Sequence, residues 1–202
     1  MTDVLVPTAR FARWVENFGA RHGSFSLGVD SGALVGTADD GSSFAASPPF
    51  ARTYVGPADV AAFLDDCDVP ATWGVLLVRK GGFAVARISG SAVVESKVGQ
   101  RHVQGRTKAG GQSQQRFARR RDNQARVALE AAAEHAARIL EPVEIVVTGG
   151  DHVAVEAVLA DPRLARLTVV PPFLTVPDPR RAVLNQSIVD AGCVVVTVVN
   201  VG

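Results

Sequence analysis

Cysteine is nearly absent from the chain: two residues, Cys67 and Cys193, in 202. They stand far apart and at no metal-ligand spacing. This excludes a disulfide scaffold or a zinc module and reads as two reduced, buried small side chains. No apolar run approaches the roughly 20 residues of a membrane helix. The N-terminus, MTDVLVPTARFARW, has an acid at position 3 and no apolar core of signal-peptide length. The expectation is a soluble cytoplasmic protein with no membrane partner. Net charge is also scarce: 21 Lys+Arg against 20 Asp+Glu, or +1, with 47% hydrophobic residues. That balance excludes a disordered chain. Taken whole, it also argues against a general polyanion binder.

What is present reads as two α/β units. In the first, Thr8 is expected to cap a helix over Arg10–Phe18, with Phe11, Trp14, Val15 and Phe18 on one face. Gly19 and Gly23 would end it. Ser24–Val29 and Ala33–Thr37 are apolar runs joined by the turn signal Asp30-Ser31-Gly32. Pro57–Asp66 reads as a short helix, and Cys67–Ala71 as a boundary. The expected domains are therefore 1–70 and 71–202. In the second unit, Trp73–Arg79, Gly82–Ile88 and Ala92–Val98 form a β-meander by spacing and turn chemistry. Gly99–Gly111 is a loop. Ser113–Leu140 has no Gly or Pro and is the strongest helix signal. Glu144–Val147, Leu167–Val170 and Val194–Val199 read as strands. Helices are expected after Asp151 and from Asp178-Pro179 to about Ala191. The fold class is α/β, with a mixed (α+β) sheet and helices packed on it.

The charge is not evenly spread. Lys97 to Arg126 holds nine basic residues and one acid, Asp122, a net +8 set against −7 in the rest. A run this dense is the electrostatic footprint of phosphate binding. At about 100° per residue, Arg116, Arg119, Arg120, Asn123 and Arg126 share roughly one third of the helix circumference. A neighbouring face, Phe117, Gln124, Ala128, Ala131 and His135, is the one expected to meet the sheet. Arg121 falls on that second face. Like charges three or four residues apart destabilise a helix, so an anion is expected to offset them.

Just before the helix stands Gly105-Arg106-Thr107-Lys108-Ala109-Gly110-Gly111-Gln112-Ser113. Adjacent glycines allow backbone conformations and close approaches that other residues resist. Gln112 is neutral and non-nucleophilic. Its amide can position a water beside a reacting carbonyl but cannot act as a strong base. His102 reads as a solvated loop residue and His135 as a packing residue. Gly149-Gly150-Asp151-His152 lacks the phosphate-loop lysine, so Asp151 reads as a helix cap. No Cys/His set supports a metal, and no cofactor is expected.

The pattern Gly105-Arg106, Gly110-Gly111-Gln112-Ser113, Arg116-Phe117-Ala118-Arg119 and Arg121 resembles the catalytic loop in the middle domain of eukaryotic/archaeal class I release factors. More narrowly, residues 72–192 resemble the actinobacterial release-factor-like peptidyl-tRNA hydrolases of the Vms-like family. These are related to factors of ribosome-associated quality control. The resemblance implies an RNase H-like fold whose loop enters the peptidyl-transferase centre of the large subunit. It assigns Gly110, Gly111 and Gln112 to catalysis. Arg106, Lys108, Arg116, Arg119 and Arg120 would contact rRNA or tRNA phosphates. The implied activity is codon-independent hydrolysis of peptidyl-tRNA on stalled ribosomes or large subunits. No Asn-Ile-Lys-Ser codon-reading motif precedes the domain and the chain ends soon after Val199, so codon-specific termination is not expected. Two alternatives stand beside this reading: a tRNA 3′-end nuclease, and a non-enzymatic rRNA-binding factor.

Overall fold

A computed structural model describes residues 2–80, 82–100 and 112–201, without the side chains of Gln100 and residues 112–125. The chain divides into two compact units, residues 1–70 with 188–202, and residues 71–187.

The first unit is a five-stranded antiparallel sheet with two helices. Its strands are β1 (Thr2–Pro7), β2 (Phe25–Asp30), β3 (Ala33–Ala38), β4 (Ser43–Ser47) and β10 (Cys193–Val199), in the order β1-β10-β4-β3-β2. Its helices are α1 (Thr8–His22) and α2 (Val60–Asp65). The hairpin signal at residues 30–32 is real: Ser31 and Gly32 both have positive φ, 49° and 80°, as a primed turn requires. Alternation along the strands turns Val6, Leu34, Phe44, Ala46, Val194 and Val196 into one core. There they meet Phe11, Val15 and Phe18 of α1 and Phe63 of α2. Edge-to-face pairs such as Phe18–Phe44, with centroids 5.0 Å apart, fill the layer between.

Three expectations need correction here. The C-terminal strand, assigned above to the 71–202 unit, lies between β1 and β4 in the first unit's sheet. Its residues are apolar on both faces, so periodicity cannot say which sheet takes it. β1 and β4 were not expected at all. The first is a half-polar segment ending in Pro7, and the second is a Ser/Ala run before Pro48-Pro49. Thr8 does not cap α1; it is the first helical residue after Pro7, and the helix continues through Gly19 to Gly23. A glycine inside a helix costs only about 1 kcal/mol. The last turn gains the ring contact of Phe18 with His22 at 4.7 Å.

The second unit is a mixed sheet. Its strands are β5 (Thr72–Arg79), β6 (Gly82–Ser89), β7 (Ala92–Gln100), β8 (Ile145–Gly150) and β9 (Thr168–Leu174), in the order β7-β6-β5-β8-β9. The first three form the antiparallel meander; β8 pairs parallel with β5, and β9 parallel with β8. Helix α3 (Gln112–Ile139) connects β7 to β8, and α4 (His152–Leu159) connects β8 to β9. Asp151 caps α4 by accepting from the Ala154 N–H at 3.0 Å. Helix α5 (Arg181–Ala191) starts three residues after Asp178, and the division between units falls within it, after Ser187.

Candidate catalytic loop and nucleic-acid interface

Strand β7 leads the chain toward the Gly-Gly-Gln segment. Its last residue, Gln100, lies opposite Gly82, where β6 begins. Gly110, Gly111, Arg106, Lys108 and His102 lie outside the described residues. Gln112 is the first residue of α3, and Arg116, Arg119 and Arg120 lie in its first three turns. Their side chains are not described, but the helix backbone fixes their azimuths.

The C-terminal part of α3 anchors it. Ala132, Ala133, Ala136, Ile139 and Leu140 are buried against Leu76, Val78, Phe83 and Val85 of the sheet, with Leu129 partly buried beside them. The packed stripe is therefore 129-132-133-136-137-139-140, centred beside the 117-124-128-131-135 face read from sequence. Alanines cover about two thirds of this helix, so hydrophobicity alone gives poor contrast in phase. His135 sits at the margin of the packed face, stacked on Phe83 at 5.6 Å. The helix C-terminus is held by the Arg166 guanidinium, which donates to the carbonyls of Leu140 and Glu141.

At 100° per residue, positions 112, 116, 119, 120 and 126 share one third of the α3 circumference. That third is centred about 120° from the packed stripe and meets it at Ala137. Position 112 and those of the expected phosphate-binding arginines thus share one side of the helix, centred off the face that the core uses. Counted at 1.5 Å per residue, Gln112 is about 25 Å along the axis from Leu129, the first packed residue. Arg126, the described member of this face, is ion-paired with Glu130 one turn later. Arg138 pairs with Glu95 of β7.

The division into units sharpens the charge map. The first unit holds four basic and ten acidic residues, a net of −6. The second holds seventeen and ten, a net of +7. The acidity set against the cationic run is thus concentrated in the unit that does not carry it.

Other motifs receive structural explanations. A Cβ on Gly149 would stand 2.4 Å from the Leu174 carbonyl oxygen, and one on Gly150 would stand 2.2 Å from that of Val78. The Gly149-Gly150 pair serves close strand packing. His152 stacks on Phe173 at 3.5 Å. Burial pushes the Cys67 and Cys193 thiols up to about 11, which leaves them protonated and unreactive. Among the described residues no group of three or more His, Cys, Asp or Glu is placed to hold a metal ion. No helix among them is long and apolar enough to cross a membrane.

Residues 71–197 match the family model of the actinobacteria/chloroflexi VLRF1 release factors. Since that match spans more than half of the chain, the protein belongs to this family of release factors. None of the curated proteins matches the chain. Among solved structures, it is similar to the Vms1 mitochondrial localization core, with 13% identity, 81% of this chain and 76% of that one covered, and a TM-score of 0.43. It is also similar to an archaeal protein, with 15% identity, coverage of 77% and 50%, and a TM-score of 0.39. A third is the archaeal translation termination factor aRF1, with 13% identity, coverage of 94% and 65%, and a TM-score of 0.41. The chain spans half of the second of these and about two thirds of the third.

Proposed function

We propose that the protein hydrolyses the ester of peptidyl-tRNA on the large ribosomal subunit, independently of any codon, and so frees nascent peptide from stalled ribosomes. The observation that carries this reading is the Gly110-Gly111-Gln112 tripeptide placed where α3 begins, in a chain of the release factor family. The first four N–H groups of an α-helix have no partner within the helix. The Gln112 backbone N–H is thus available to a developing oxyanion, a role worth about 3–4 kcal/mol in comparable sites. The Gln112 amide accepts from and donates to a water, and holds it against the ester carbonyl. Water attacks the carbonyl carbon, and the tetrahedral intermediate expels the ribose oxygen of the tRNA 3′ end. That oxygen takes up the proton the water loses. The amide itself takes no proton, and the RNA of the peptidyl-transferase centre completes the proton path. Gly110 and Gly111 give the loop the shape that delivers Gln112. Arg116, Arg119 and Arg120, on one side of α3, hold tRNA or rRNA phosphates together with Arg106 and Lys108, which offsets their mutual repulsion.

The test is a release assay on large subunits carrying labelled peptidyl-tRNA, with both products read. Gln112→Ala, which keeps the backbone N–H and removes the amide that positions the water, is expected to slow peptide release by about a hundredfold while subunit binding is retained. Unchanged release would remove the hydrolytic reading. A factor that only docks would instead tolerate Gln112→Ala and lose binding on charge reversal at Arg119 and Arg120. A nuclease would leave a tRNA shortened at its 3′ end.

A further inference from the structure

The first unit carries an open groove of about 410 Å³ along the free side of β1. Among the described residues, strand β1 is the outer strand of its sheet and pairs with β10 alone. The register Val4↔Val196 and Val6↔Val194 turns Val4 and Val6 to the same face as the core. The other wall is α1, whose residues Arg10, Arg13, Trp14 and Asn17 line the groove together with β1. Their i, i+3, i+4, i+7 spacing makes a single stripe beside the buried stripe of Phe11, Val15 and Phe18. The helix layer is therefore wider than the sheet beneath it by about one strand.

Two further features bear on what fills that space. Natural edge strands are guarded by lysines, inward-pointing charges or bulges. β1 has none of these over Thr2–Val6; its one guard is Pro7 at the C-terminal end, which leaves the rest of the edge open to pairing. Its only charge, Asp3, lies on the opposite face and accepts a hydrogen bond from the Thr197 hydroxyl at 2.7 Å. Val4 is left 39% exposed. The groove also holds two of the four basic residues of a unit whose net charge is −6. Arg10 makes no ion pair among the described residues, and Arg13 has one exposed contact to Glu16 at 3.5 Å.

We infer that this groove binds an extended acidic peptide of a partner protein, added to β1 as a sixth strand. On the face the peptide turns toward α1, apolar side chains would lie over Val4, Val6 and the Trp14 ring, and Asp or Glu residues of the same alternate set would meet Arg10 and Arg13. The Asn17 amide would satisfy a peptide group at the groove's margin. Main-chain bonds to β1 supply affinity, and the alternating pockets supply selectivity. This site is independent of the hydrolytic reading, because none of its residues belongs to the loop or to α3.

The test uses the full chain and a fluorescein-labelled peptide of sequence Thr-Val-Ser-Glu-Thr-Val-Ser-Glu-Thr, whose Val and Glu residues share one strand face, followed by fluorescence anisotropy. Saturable binding is expected, and Arg10→Glu with Arg13→Glu should weaken it about tenfold, as loss of rim charge complementarity does. A peptide with Lys in place of each acid should not bind. N-methylation of alternate peptide nitrogens, which removes strand pairing without touching the protein, should abolish binding. Equal binding of the N-methylated peptide, or no binding of the acidic peptide at millimolar concentration, would overturn the proposal. So would a dimer in sedimentation that Val4→Lys disperses, because the groove would then belong to a second copy.

Discussion

Gly150 shows how much a single position can demand. Its φ is +106°, a conformation side chains rarely adopt, and an added methyl would collide with a backbone carbonyl that cannot swing away. The same carbonyl accepts the Asp151 N–H at 2.8 Å, so the junction of β5, β8 and α4 is fixed at this point. Gly150→Ala is expected to destabilise the second unit by about 2–4 kcal/mol. Urea unfolding followed by circular dichroism would measure it, and a change below about 1 kcal/mol would contradict the account.

At the scale of elements, α4 offers a clean prediction. Its eight residues have one side-chain cap, Asp151, and no acidic residue in the first turn. Asp151→Ala should cost about 1 kcal/mol, and Asp151→Asn or Asp151→Ser should restore most of it. Denaturant midpoints of the three variants check this. Elements with strong local signals were legible in the sequence: the β5–β7 meander, the long uninterrupted α3 and the capped α4. Elements held by distant partners were not. β1 and β4 have weak patterns; β1 is a strand because β10 pairs with it, and β4 because it lies between β10 and β3. The uniform valines of β10 carry no mark of the sheet they join. In the site, the tripeptide and its cationic run were legible because both are local. The phase of α3 was not, because alanine over about two thirds of its circumference hides the packed stripe until Leu76, Val78 and Val85 select it.

For the molecule as a whole, the second unit is an insertion between two pieces of the first. Its sheet and its helices α3 and α4 are continuous in sequence, so residues 71–187 are expected to fold alone. The first unit cannot do so without residues 188–202. The two tryptophans report separately, Trp14 from the first unit and Trp73 from the second. A chain cut after Ser187 should show a native, blue-shifted Trp73 and a solvent-exposed Trp14. Single-tryptophan versions of the cut chain, made with Trp14→Phe and Trp73→Phe, measure each emission, and a native Trp14 signal in that chain would refute the division. The position of β10 also sets an order in time. During synthesis β1 emerges first, but the strand that must lie beside it is made only after the whole second unit. Until then β1 and β4 have a gap between them, and closing it brings together residues nearly 200 apart, as in Thr2↔Val198. The loop-bearing unit can therefore be finished while its neighbour is still open. The rate at which this protein matures should be governed by the arrival of one short run of valines.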